Sequence, residues 1–240
     1  MSNVPAGLPL FYRKPEPLSA EAHADWRLLD GDEAFAGGTA FVPILTSEIV
    51  AAARDYPIVF TADTTTPIAV LGLEQANLFV QDGQWDDTVY VPAYVRRYPF
   101  AFMATREPDG FRLAIDAASP RAVQGGEAGT ALFDDGKPSA LTQQALEFCA
   151  AFERDAAVTD AFIAALGEQD ILIDRRADAT MPDGRAFGVQ GFRIVDREKF
   201  AALPDSVVLA WHKAGYLTLI HLHLASLDRF ATLLARQGKR

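Results

Sequence analysis

Cysteine is nearly absent: Cys149 is the single one in 240 residues, which excludes an intramolecular disulfide and any site built from several thiolates. Positive charge is scarce too. The 22 Lys and Arg residues face 32 Asp and Glu, a formal net charge of -10, and such a field repels a phosphate backbone, so no nucleic-acid partner is expected. Arg96-Arg97, Arg175-Arg176 and the Arg236 to Arg240 tail are short, and read as solvated faces or as ion-pair partners of the carboxylates. No apolar run reaches the ~18 residues of a bilayer span, and Met1 to Leu10 lack a basic stretch followed by an unbroken apolar one. These absences predict a soluble, cytoplasmic chain with no membrane span. The common catalytic signatures are missing as well: there is no Gly-x-Ser-x-Gly elbow, no His-Glu-x-x-His, no phosphate loop and no dinucleotide fingerprint. Gly125-Gly126-Glu127-Ala128-Gly129 is the nearest to a phosphate cradle, but without an amphipathic helix directly behind it the segment reads as a surface loop.

Hydrophobic residues make up half of the chain, ample for a core. Residues 1–40 carry four prolines and read as an extended arm with one short helix near Ala20 to Leu28. Phe41 to Leu45 predicts a strand, Thr46 or Ser47 a helix cap with the helix running to about Asp55, and Tyr56 to Thr61 a second strand. That order suggests a crossover unit, although the connection is barely long enough for a parallel pair. From Ala69 to Ile115 branched and aromatic runs alternate with turn dipeptides, the pattern of an antiparallel meander. Asp-Gly occurs five times, at Asp30, Asp82, Asp109, Asp135 and Asp183. Both residues tolerate positive φ, so repeated tight turns explain them without five catalytic carboxylates. Ser139 predicts a helix bearing Leu141, Ala145, Phe148, Cys149 and Phe152; Thr159 predicts a second, stopped by Gly167, and the two form a helical hairpin. Strands are expected at Ile171 to Ile173 and Ala186 to Val195, then helices from Asp196, from Asp205 to Ala214 with Gly215 as the stop, and from a Ser226 cap onward. The resulting fold class is α+β: a mixed, largely antiparallel sheet with a helical hairpin and C-terminal helices packed on it, a single composite domain over 41–240 behind the arm.

Few residues carry chemistry. His221 and His223 would share a face on a strand but diverge by ~200° on a helix; the bracketing Gly215 and Ser226 favour a helix, hence packing or surface roles. No spacing nominates carboxylates to join them, so neither a metal site nor a cofactor is expected. Cys149 falls on an apolar helix face, an inert position. Trp85, Tyr94 and Tyr98, with Arg96 and Arg97, have the composition of a recognition surface. Strand alternation would send Arg96 and Arg97 to opposite faces, one near the core and one available to a ligand or partner.

The runs Tyr56-Pro57-Ile58-Val59-Phe60, Leu71-Gly72-Leu73, Asn77-Leu78-Phe79-Val80 and Tyr90-Val91-Pro92-Ala93-Tyr94-Val95-Arg96-Arg97-Tyr98-Pro99-Phe100 resemble the bacterial SapC family. The likeness continues through Leu132-Phe133-Asp134-Asp135-Gly136-Lys137-Pro138 and Leu203 to Leu227. The resemblance implies a protein of a surface-layer locus; some relatives are labelled peptide-transport permeases, and others neighbour tryptophan halogenases and outer-membrane receptors. It supplies no catalytic residue, and the permease label conflicts with a chain that has no segment able to span a bilayer. The expected role is a non-catalytic accessory or binding protein that recognises a peptide, a protein or a small ligand, with Arg96, Arg97, Trp85, Tyr94 and Tyr98 as contact residues and self-association left open. The alternatives are an enzyme assembled from scattered residues such as Arg96, Arg97, Asp116, His221 and His223, or a structural surface-layer component.

Overall fold

Ile58–Thr61 and Pro67–Val70 in the principal sheet are apolar at almost every position, so these strands do not alternate visibly in the sequence. The computed structural model describes residues 8–106, 109–180 and 184–239. Five strands pair in the spatial order Leu172–Thr180, Ala186–Val195, Ile58–Thr61, Pro67–Val70, Phe41–Pro43, and every pairing is antiparallel. Phe41–Pro43 and Ile58–Thr61 each run antiparallel to Pro67–Val70, which lies between them, and are therefore parallel to each other. The expected strand–helix–strand order is present, but the two strands do not pair with each other, because Pro67–Val70 lies between them. The connection from the first to the second is one turn of 3-10 helix, Thr46–Glu48, followed by the short α-helix Ile49–Ala52.

The chain divides into two compact units, each made of two separated segments: residues up to Asp32 with Val95–Arg154, and Glu33–Tyr94 with the chain from Asp155 onward. The five-stranded sheet belongs to the second. On one of its faces, Phe60, Leu172 and Val195 pack with Phe162, Leu166, Trp211, Ile220 and Leu224 from helices. Each such side chain contributes roughly 2 kcal/mol or more by leaving water. In the first unit, Phe100–Arg106 pairs with Asp109–Asp116, which also pairs with Pro15–Pro17, and Trp26–Leu28 pairs with both Ala122–Gln124 and Thr130–Ala131. Leu28, Phe100, Leu113, Ile115, Leu132, Phe133 and Cys149 form its core.

Two of the Asp-Gly dipeptides make the tight hairpins expected of them. Asp82 and Gly83 have φ of 50° and 80°, Asp135 and Gly136 of 48° and 74°, and they close the Val80–Gln81/Gln84–Trp85 and Phe133–Asp134/Lys137–Pro138 hairpins. Asp30-Gly31 forms no hairpin, Asp109-Gly110 lies within the Asp109–Asp116 strand, and Asp183 falls outside the described residues.

The helical hairpin is not formed. Ala140–Glu168 is one continuous helix of 29 residues, because neither Gly nor Pro interrupts Phe152 to Leu166. The expected cap, Thr159, turns its hydroxyl back to donate to Asp155 O at 2.8 Å and accepts the Thr46 N–H at 2.9 Å. Ser139 is a genuine cap, receiving the Thr142 N–H. Asp196 caps Arg197–Ala201 through the N–H groups of Glu198 and Lys199, and Gly215, at φ 78°, ends Asp205–Ala214. Tyr216–Ser226 is helical, and the last helix, Arg229–Gln237, follows Asp228. Ser226 is therefore not its cap; its hydroxyl donates to His223 O and receives the Ile58 N–H. No helix among the described residues is long and apolar enough to cross a membrane.

Candidate functional site

Arg96 and Arg97 do not sit on a strand. Ala93–Arg96 is a short helix entered directly after Pro92, where a fixed φ favours a helix start and the missing N–H costs nothing. The two arginines consequently lie on adjacent helical and turn positions. Arg96 is exposed and Arg97 half-buried. Both border a recess of about 260 Å³ in the first unit, together with Arg121, Phe100, Phe148 and Cys149. The Arg97 guanidinium lies over the Phe152 ring at 4.2 Å and the Tyr12 ring at 5.8 Å, and Arg96 lies over Phe148 at 5.3 Å. Flat aromatic faces of this kind hold a guanidinium plane without consuming its N–H fork. Arg121 is the member that sequence reasoning missed. It lies 24 positions beyond Arg97, which gives no local signal, and it joins the recess because Ala122–Gln124 pairs with Trp26–Leu28 and its Nε donates to Leu29 O at 3.1 Å.

Trp85, Tyr94 and Tyr98, by contrast, are interior, each 7% exposed or less. Trp85 Nε1 donates to the Tyr56 hydroxyl at 3.0 Å, and that hydroxyl donates to Tyr90 O; burial pushes the Tyr56 phenol well above its usual range. Tyr98 donates to Asp116 at 3.0 Å, and its own phenol is raised chiefly by burial. Asp116 is fully buried and also accepts from the N–H groups of Arg13, Lys14 and Ala118, so this carboxylate holds loops together. Glu48 plays the matching part in the second unit: buried, it accepts from Leu45 N (2.9 Å), Ala93 N (2.7 Å) and the Tyr90 hydroxyl (2.9 Å). A buried carboxylate is tolerable when several donors replace its lost water.

The histidine pair separates as helix geometry requires: His221 is exposed, its ring 5.3 Å from that of Phe200, while His223 is buried. His223 Nε2 accepts the Val195 N–H at 3.1 Å, so Nδ1 carries the proton and donates to Ile58 O at 2.9 Å. Burial, reinforced by Arg197 and opposed by the Ile58 bond, lowers its pKa to about 4. This neutral ring ties a helix to two strands. Among the described residues no group of three or more His, Cys, Asp or Glu is arranged to hold a metal ion. Cys149 is buried, and burial pushes its thiol up to about 11 against the opposing pull of Arg97.

No curated protein and no solved structure matches the chain. A family model does: the one described as SapC matches residues 18–233, a span that takes in the five-stranded sheet and the arginine recess, and the chain belongs to the SapC family.

Proposed function

We propose that this SapC-family chain is a soluble, cytoplasmic, non-catalytic binding protein, and that Arg96 and Arg97, with Arg121, receive an anionic group of a peptide, protein or small ligand. The observation that carries the reading is the convergence of three arginines on one small recess in a chain of net charge -10. A volume of about 260 Å³ suits a terminal carboxylate or an acidic side chain and not a whole drug-sized molecule, whose sites run to ~300–1,000 Å³. Aromatic backing fixes the guanidinium planes, which favours bidentate pairing with a carboxylate. Of the three aromatic residues, Tyr98 borders the recess, while Trp85 and Tyr94 are buried and make no part of it. The scattered-enzyme reading has less support, because His223 and Asp116 direct their polar atoms to backbone and tyrosine partners within the fold.

The test is titration of the full chain with short peptides bearing a free C-terminal carboxylate and with their amidated counterparts. The free acid is expected to bind more tightly, and at least one of Arg96→Lys and Arg97→Lys to keep the thermal midpoint while losing about tenfold in affinity, since an ammonium cannot reproduce the fork. Full binding by both folded variants, or equal binding of acid and amide, defeats the reading.

A further inference from the structure

The second face of the principal sheet borders a groove. Along it Pro43, Ile68 and Val59 stand in register across three strands, flanked by the cross-strand pairs Phe41 with Val70 and Thr61 with Phe192. These side chains floor a groove of about 790 Å³, within the range of sites that hold a drug-sized molecule. Its other boundaries are the 72–75 segment and residues 188–191, where Gly188 and Gly191 add no side-chain bulk.

The polar groups concentrate at two places. At the turn between Ile58–Thr61 and Pro67–Val70, the Thr64 hydroxyl lies 2.9 Å from that of Thr61 and 2.8 Å from that of Thr66, and Asp63 accepts the Thr64 N–H at 2.8 Å. Glu74 stands on the 72–75 segment and accepts from the Gln237 amide at 3.1 Å. Among the described residues the two ionisable groups in the lining, Asp63 and Glu74, are both carboxylates, and no Lys, Arg or His lines the groove. Arg176, close to Gly188, is neutralised by Asp178 at 2.6 Å. An apolar floor asks for a hydrocarbon body; acidic, hydroxyl-rich margins complement a cation and repel an anion.

We propose that this groove is a binding site for a chain-like apolar small molecule with a cationic amine head, the tail lying along Phe41, Pro43 and Ile68 and the head meeting Asp63 or Glu74. The site is independent of the arginine recess, which has the opposite charge preference, so either can fail without the other.

The probes are dodecylamine, dodecanol and dodecanoate, each titrated into the full chain below its micelle concentration and followed by calorimetry. Dodecylamine is expected to bind one to one, about tenfold tighter than dodecanoate at low salt, since an exposed charge pair with the amine and repulsion of the carboxylate head each contribute modestly. The double variant Asp63→Asn/Glu74→Gln retains an oxygen acceptor at each place and is expected to erase that preference while leaving dodecanol binding unchanged. Ile68→Phe, checked for folding by circular dichroism, should weaken all three. Dodecanoate binding as well as the amine, no binding by any probe, or unchanged selectivity in the double variant overturns the proposal. So does light scattering that shows a dimer which the probes do not compete with and which Phe41→Asp dissociates, since the groove would then be covered by a second copy.

Discussion

Replacing His223 by Gln separates the protein's acid sensitivity from its packing. The ring is buried, lies 5.1 Å from the Phe60 ring, and donates from Nδ1 while accepting at Nε2. Its pKa falls from 6.5 in the unfolded chain to about 4 in the fold. Between those values the unfolded chain binds the proton and the folded one does not, so stability is fully present above pH 6.5 and is lost as the pH falls toward 4. At 1.36 kcal/mol per pKa unit the loss from this group approaches roughly 3 kcal/mol at pH 4. Asp86, lowered to about 2 chiefly by its hydrogen bond from Thr88, titrates below that window and does not mask it. A Gln side chain offers one donor and one acceptor of similar reach, so His223→Gln is expected to cost about 1–2 kcal/mol at pH 7.5 and to flatten the profile. Urea unfolding at pH 7.5 and 4.5, at constant ionic strength, should show the parent chain losing about 2–3 kcal/mol more than the variant. Parallel pH profiles would refute both the neutral tautomer and the assignment of the acid limb to this ring.

Glu48→Ala leaves two backbone N–H groups and the Tyr90 hydroxyl without their acceptor, and is expected to cost about 3 kcal/mol or more, a fall of roughly 5–10 °C in the calorimetric midpoint; an unchanged midpoint would show that water replaces the carboxylate. The raised Cys149 thiol holds about 100-fold less thiolate at pH 8 than an ordinary one, so alkylation of the native chain should be slower than in guanidinium by at least that factor, and equal rates would contradict its burial.

Local signals in the sequence carried far. Asp196, Gly215 and the Asp82-Gly83 and Asp135-Gly136 turns act where the residue types say they should, because caps and positive-φ turns are decided by a few neighbouring atoms. Thr159 misled for a physical reason: a threonine inside a helix can bond to the carbonyl four residues back, so the type that marks a start is equally at home in the middle when no Gly or Pro intervenes. Tyr90 to Phe100 has strand composition, yet Pro92 and the Glu48 acceptor for Ala93 N set Ala93–Arg96 helical, and Glu48 lies 45 positions away. The arginine pair was visible in sequence, but Arg121 was not. Nor was the groove, since Ile58–Thr61 and Pro67–Val70 are apolar at almost every position and period-two reasoning has nothing to detect.

The interleaving of the two units bears on how the chain is made. Both draw one segment from before Val95 and one from after it, so no single cut frees either unit as a contiguous fragment. During vectorial synthesis Thr61 waits for Phe192, and Trp26 to Leu28 wait for Ala122 to Ala131. At ~5–20 residues per second the first of these delays is of the order of ten seconds, through which Ile58–Thr61 presents an unpaired apolar edge to every other nascent chain nearby. Closing such long loops is slow even once the partners exist, and the demand for protection on the ribosome falls on the segment that later floors the groove.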